Sequence, residues 1–323
     1  MCIKKVLLSI PVNNGIYEVI KHNLAEAGID SIVLPQDEGH QFKYPNALIK
    51  FLNFLLKTLF RYNLKSSIIS WRRKKRELKI FGQSYDLLLA VRPDLMSVEQ
   101  IKQAKKVCRR SVGYQWDGLE RFPDIYKYIE YFDNFYVFDK NDLTKNSKLK
   151  FKTNFRLKPF DEDFEFTLSD AHFIGDVDLY RYKLLIEVAD HLIVAGLKPI
   201  FYILRYPGSA GKRHPCIRVS RVPITYNQNL LIVKKTKVII DIINQNLHVG
   251  LSLRFFEAIE FKKKLITTNA TVMKYDFYHP SNIYVLGHSR ISIAEFMSLP
   301  YCEIDCKITD KYKIEEWIKE FLD

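Results

Sequence analysis

The stretch SLRFFEAIEFKKKLITTN, Ser252 to Asn269, decides how this chain is read. It follows NQNLHVG, so Gly250 closes a polar loop just before apolar residues of helical period, and a second apolar run then ends in polar residues as a strand does. Ser252 suits an N-cap, which starts the helix near Leu253. Such a start points unsatisfied backbone donors and a partial positive charge outward, which is a seat for a phosphate. Arg254 falls in the first turn, where a cation opposes the helix dipole unless an anion is near. Glu257, three residues on, shares its face and could accept from a ribose diol. On spacing alone, an ordinary Arg–Glu surface salt bridge is the better reading of that pair.

Outward from this stretch the same alternation recurs. KKVLLSIPV reads as a buried strand, NNGIYEVIKHNLAEAGI as a loop and helix ending at Gly28, and DSIVLP as a second strand; YDLLLAVRPD and RRSVGYQWD are strands that end in polar residues. From FYVFDKND to KTNFRLKPFDEDFEF the helical period is lost and turn formers accumulate, which places a linker near 150 to 165. Beyond it AHFIGDV, KPIFYIL, KKTKVIIDI, KLITTN and SNIYVLG read as strands, with helices at LYRYKLLIEVADHLIVAGL and FFEAIEFKKK. A chain of 323 residues exceeds one ordinary core. The expectation is therefore α/β, with two Rossmann-like domains at 1–155 and 156–310 facing each other across a cleft. A final amphipathic helix, 311–323, presents Ile314, Trp317, Ile318 and Phe321 on one face and could pack back on the first domain.

Composition narrows the class. Hydrophobic residues, methionine and cysteine included, make up 47% of the chain, enough for two cores, so a disordered chain is excluded. The five cysteines are scattered without zinc spacing and fit a reducing compartment. VLLSIPV is too short and too broken by Pro11 for a leader, and no apolar segment reaches spanning length, so a cytoplasmic protein is expected. The net charge is +13, and eleven basic residues against one acid lie between Lys43 and Phe81. There ALIKFLNFLLKTLFRYNLK carries an apolar stripe (Leu48, Phe51, Leu52, Leu55, Leu56, Leu59, Phe60) and is followed by WRRKKRELK. Arg72, Arg73, Lys74, Lys75 and Arg76 suit an anionic membrane surface or an acceptor held there. The competing reading packs the stripe on the first sheet and leaves the basic run solvated.

The order of short motifs carries a resemblance. KVIIDIINQNLHVGLSLRFFEAIEFKKKLITTN resembles the donor-binding core of GT-B glycosyltransferases. GYQWDGLERFPDIYKYIEYFDNFYVFDKNDL and FIGDVDLYRYKLL resemble the CgeB-like and lipopolysaccharide-core branch of the bacterial enzymes, with a Trp-Asp loop, a repeated Phe-Asp and a Phe-x-Gly strand end in the same order. The resemblance spans roughly 115 to 290. It implies a nucleotide-sugar donor, a bacterial surface glycan or glycolipid acceptor, and no cofactor. By the same resemblance Glu257 matches the ribose-binding position, Ser252 to Arg254 the diphosphate turn, and Gly175 the close-approach glycine. Arg205 and Lys212 fall where a phosphate-neutralising cation is placed, and Val222 to Tyr226 where the base meets the backbone. Val249 stands where retaining members often carry a second glutamate, which inclines the reading towards inversion.

An inverting transfer needs a general base from the first domain. Asp117, at a strand end and followed by Gly118, is the first choice over Glu120, His22 and Asp94, each of which also suits an ordinary structural role. Asp176–Val177–Asp178 has metal-binding spacing, but its place after a strand argues for no metal, with a helix end and Arg or Lys neutralising the diphosphate instead. His214 and His288 lack ligand spacing, and His288 could border the pocket. Two other functions stay open: a basic nucleic-acid-binding α/β protein, which no recognition motif supports, and a catalytically silent partner subunit.

Overall fold

The structure is a computed structural model, and it describes residues 4–36, 42–207, 213–219, 224–244 and 248–322. In chain order the first half contains β1 (Lys4–Pro11), α1 (Ile16–Glu26), β2 (Ile29–Gln36), α2 (Ala47–Phe60), α3 (Leu64–Phe81), β3 (Tyr85–Val91), α4 (Val98–Val107), β4 (Cys108–Gln115), β5 (Asn134–Val137) and β6 (Leu149–Phe151). The second contains β7 (Ala171–Gly175), α5 (Leu179–Val194), β8 (Pro199–Ile203), β9 (Ile217–Val219), α6 (Tyr226–Lys235), β10 (Val238–Asp241), α7 (Leu253–Glu260), β11 (Lys264–Thr267) and β12 (Ile283–Val285). Three helices follow: α8 (Ile293–Ser298), α9 (Cys306–Thr309) and α10 (Ile314–Leu322).

Two six-stranded sheets result, ordered β2-β1-β3-β4-β5-β6 and β12-β11-β10-β7-β8-β9, with every neighbouring pair parallel. Parallel strands covered on both faces need near-continuous apolar runs, and Val6, Leu7, Leu8 and Leu87, Leu88, Leu89 supply them, odd and even residues entering opposite cores. The strand order reverses between β1 and β3 in the first sheet and between β7 and β10 in the second. Such reversals leave a crevice beyond the carboxyl ends of the strands, because the flanking connections depart to opposite faces.

The chain crosses between the sheets twice, and the crossings are fastened side by side. The Arg156 amide donates to the Tyr312 carbonyl at 2.6 Å, and its guanidinium bonds Glu260 and Asp310, each at 2.8 Å. The first crossing is also sutured from both sides: Asn23 of α1 bonds both polar groups of the Lys158 backbone, and Asn227 of α6 both of Phe160. On the second crossing α10 returns to the first core, burying Ile314, Trp317, Ile318 and Phe321. Trp317 meets Tyr114 and Phe155 edge-on at 5.0 and 4.8 Å and donates its indole N–H to the Thr153 carbonyl at 2.7 Å.

Three sequence expectations need correction. FYVF is a strand, β5, and Leu149–Phe151 forms β6 inside the stretch read as linker; both are too short to carry a period. Thr225 to Lys235 holds the unassigned helix α6, opened by a capping box between Thr225 and Gln228. The apolar stripe does not pack on the sheet. No residue of α2 is buried, and α3 buries only Ile80.

Candidate active site

The second reversal places the ends of β7 and β10 beside the start of α7. Asp241, the last residue of β10, is fully buried and accepts from Ser252 Oγ at 2.8 Å, Thr267 Oγ1 at 2.9 Å and Arg254 Nη1 at 3.3 Å. A carboxylate without water must collect such donors, and three of them fix the start of α7 to the sheet. Ser252 therefore occupies the N-cap position without capping by its side chain, because its hydroxyl is turned to Asp241. Arg254 is held at both ends of the reversal: it also donates to the Ile174 carbonyl and lies over the Phe173 ring at 5.1 Å. A Cβ on Gly175 would come within 3.2 Å of Arg254 Nη2, a tight contact, so the glycine gives the guanidinium room at the strand end.

Arg254 and Glu257 do not form the surface pair that spacing favoured. Glu257 is 5% exposed and takes Asn229 Nδ2 at 3.4 Å, with Tyr226 as a second hydrogen-bonding partner. Burial raises its carboxyl above the ordinary glutamate range, and Asp241 adds to this; Arg254 and the two hydrogen bonds pull the other way. The same burial, reinforced by the Glu257 charge, pushes the Tyr226 phenol well up. Behind Asn229, His172 closes the chain, its Nε2 at 2.9 Å from Asn229 Oδ1. Burial lowers the His172 pKa to about 4, so the ring is neutral and donates Nε2–H, leaving the Asn229 amide to donate to Glu257. Asp241, His172 and Asn229 were missed as site residues, and Tyr226 was included only as the end of the segment expected to meet the base. The polar end of KVIID was the available signal for Asp241, and the TYNQ capping box would have revealed the helix that carries Tyr226 and Asn229.

Tyr226, Asn229, Arg254 and Glu257 line a cavity of about 500 Å³ together with side chains from the first domain, while Asp241 and His172 stand behind its wall. Ser252, Arg254, Glu257, Gly175, Tyr226 and Asn229 form one wall; Asn14, after β1, and Asp117, after β4, belong to the other. Asn14 sits at φ +62 and Gly15 at +67, in the left-handed region, which Asn and Gly tolerate best. The loop entering α7 is held by both domains. The Val249 amide donates to Asp139 at 2.6 Å, Asn154 Nδ2 to the Leu251 carbonyl at 2.9 Å, and Asn269 Nδ2 to the Val249 carbonyl at 3.0 Å. A Cβ on Gly250 would lie 2.7 Å from the Phe138 ring, so this glycine serves a close contact between domains and not a left-handed turn.

Asp117 faces the cavity and also caps its own turn: one oxygen accepts from the Gly118 amide at 3.1 Å and the other pairs with Arg121 at 3.0 Å. The alternatives for a base lie elsewhere. Asp94 is bound by Arg92 at 2.6 Å, Glu120 pairs with Lys145 at 2.7 Å, and His22 pairs with Glu26 on α1 at 3.4 Å. Arg205 is exposed and bonds Asp176, which lines the cavity, at 2.9 Å; its own side chain is outside the lining. Asp178 caps α5, accepting from the Arg181 amide. Lys212 and Val222 lie outside the described residues. His214 pairs with Asp190 at 3.1 Å. His288 borders a different cavity, of about 580 Å³, between α5 and the ends of β10 to β12. Among the described residues no three His, Cys, Asp or Glu side chains are grouped to hold a metal, and no helix is long and apolar enough to cross a membrane.

Two parallel α/β units meet at their reversals over one shared cavity. The architecture is GT-B. No family model matches the chain, and no curated protein matches it significantly in sequence. Solved structures resemble it at low identity. The N-terminal domain of Candida albicans trehalose-6-phosphate phosphatase is 9% identical, with 100% of this chain and 96% of that one covered and a TM-score of 0.52. A UDP-forming trehalose-phosphate synthase from Burkholderia xenovorans is 11% identical over 99% and 98%, TM-score 0.49. The lipopolysaccharide outer core galactosyltransferase WaaB is 12% identical over 99% and 98%, TM-score 0.46.

Proposed function

We propose that the protein is a glycosyltransferase that moves a sugar from a nucleotide-sugar donor to a bacterial surface glycan or glycolipid, with inversion and without a metal. The observation that carries this reading is the grouping of the α7 start, Arg254, Gly175 and the buried Glu257 around one cavity at a strand-order reversal. The diphosphate lies on the first amides of α7, with Arg254 beside it neutralising the charge that grows as the bond to the sugar breaks. Glu257 accepts from the ribose diol. Its burial withholds competing water, so the nucleotide hydroxyls become its natural donors. In the transfer the acceptor hydroxyl oxygen forms a bond to the anomeric carbon as the carbon–oxygen bond to the diphosphate breaks. The hydroxyl proton passes to Asp117, and the bonding pair leaves with the diphosphate.

The exposed α2–α3 hairpin supports placing this reaction at an anionic membrane. Phe54, Leu59 and Phe60 are 62%, 68% and 72% exposed beside Lys57 and Arg61, and charge of one sign disfavours pairing with a second copy. The test is a thermal-shift panel of UDP, GDP, CMP and dTDP sugars, followed by a transfer assay with the one that binds. One nucleotide should raise the melting temperature of the protein. Asp117→Asn should keep that rise while kcat falls by about 10²- to 10⁴-fold. No response to any nucleotide, or transfer unchanged in D117N, refutes the reading or the base assignment respectively.

A further inference from the structure

Behind the wall of the donor cavity, His172 has no task in the transfer as drawn so far. It lies on β7 at 1% exposure, its Nε2 is 2.9 Å from Asn229 Oδ1 on α6, and its Nδ1 has no hydrogen-bond partner among the described residues. An orphaned N–H is rarer in a buried site than an orphaned lone pair, so the single proton of the neutral ring belongs on Nε2. Asn229 Oδ1 accepts it. The two ends of an amide are told apart by their partners, and this bond settles which end turns to α7: the donor Nδ2, at 3.4 Å from Glu257 Oε1. Reversed, the amide would set its oxygen against a carboxylate oxygen, two acceptors face to face. Tyr226, the other hydrogen-bonding partner of Glu257, imposes no such choice, because a phenol hydroxyl both donates and accepts. The Asn229 amide, held by His172, is therefore committed to the ionised carboxylate.

That commitment bears on the ligand. A ribose diol donates two hydroxyl hydrogens, and an ionised carboxylate accepts both; a protonated one presents a hydroxyl of its own in place of one acceptor. We propose that His172 is a positioning residue which, through Asn229, keeps Glu257 an acceptor for both ribose hydroxyls and so sets a preference for ribonucleotides over 2′-deoxyribonucleotides. The inference rests on the nucleotide-sugar reading. It adds to that reading a discrimination between sugars and assigns it to a residue outside the cavity lining.

The test is calorimetry of the full chain with UDP, GDP and CMP, each beside its 2′-deoxy counterpart. Three variants are compared with the wild type: His172→Phe, which removes the donor; His172→Gln, whose side-chain amide keeps an N–H for Asn229; and Asn229→Leu, which removes the relay. The ratio of ribo to deoxy affinity is taken within each protein, so a partly unfolded preparation leaves it unchanged. The wild type should bind one ribonucleotide about 10- to 150-fold more tightly than its deoxy form, the range expected for one hydrogen bond to a charged acceptor. H172F and N229L should lose most of that ratio, and H172Q should keep most of it. Equal or tighter binding of the deoxy form by the wild type overturns the inference, as does an unchanged ratio in H172F or N229L, or a ratio lost equally in H172F and H172Q. The donor reading survives each of those results, since a nucleotide still binds. Failure of every probe to bind the wild type refutes the donor reading, and the inference falls with it.

Discussion

Glu257→Gln separates stability from binding. The carboxyl is buried and raised, so the native protein holds its proton more tightly than the unfolded chain does. The sign follows directly: as pH rises from about 4.3, the unfolded value, up through the raised native one, this group costs stability. Glutamine keeps the shape and an acceptor for Asn229 or Tyr226, and it carries no charge to desolvate. The variant should therefore be as stable as the wild type near pH 4 and should gain relative to it as pH rises to about 7. Its urea midpoint against pH reads that difference. Nucleotide binding should move the opposite way. Hydrogen bonds to a charged acceptor contribute about 1.5–3 kcal/mol, so calorimetry should show affinity reduced about 10- to 150-fold. A variant that is destabilised at every pH and binds the nucleotide as tightly as the wild type would refute the reasoning, because Glu257 would then be a packing group.

Asp241→Asn should be costly to both properties. It uncouples a fully buried carboxylate from Arg254, so about 3 kcal/mol of stability and the nucleotide-induced melting shift should be lost together, as measured by urea unfolding and thermal shift. Gly250→Ala forces a Cβ to within 2.7 Å of the Phe138 ring and 2.8 Å of its carbonyl oxygen, which should destabilise by about 1–3 kcal/mol and weaken nucleotide binding by shifting the loop that enters α7. Trp317→Ala empties the contact of α10 with the first domain and should cost about 3–5 kcal/mol in urea unfolding.

Much of this could be read from residues because parallel sheets are demanding. Buried strands such as VLLSI and YDLLLAV leave no ambiguity of class, and glycines at 28 and 196, with φ of +74 and +77, mark the ends of α1 and α5. The site stretch was legible for the same local reasons: a loop, a cap position and a helix start are sequence-contiguous. What escaped was long-range. That Ser252 and Arg254 turn to Asp241, and that Asn229 relays His172 to Glu257, depends on strand order, which no local pattern encodes. The role of Gly250 escaped likewise, since the ring that excludes a Cβ comes from Phe138, more than a hundred residues away. The hairpin α2–α3 was ambiguous because an amphipathic helix has the same period whether its apolar face meets a sheet or solvent.

The most direct test is a crystal structure of the protein with the nucleotide that raises its melting temperature. The ribose hydroxyls should lie within hydrogen-bonding distance of the Glu257 carboxylate, with the diphosphate between Gly175, Arg254 and the first amides of α7. A nucleotide found in the cavity beneath α5, or one whose ribose points away from Glu257, would contradict the account.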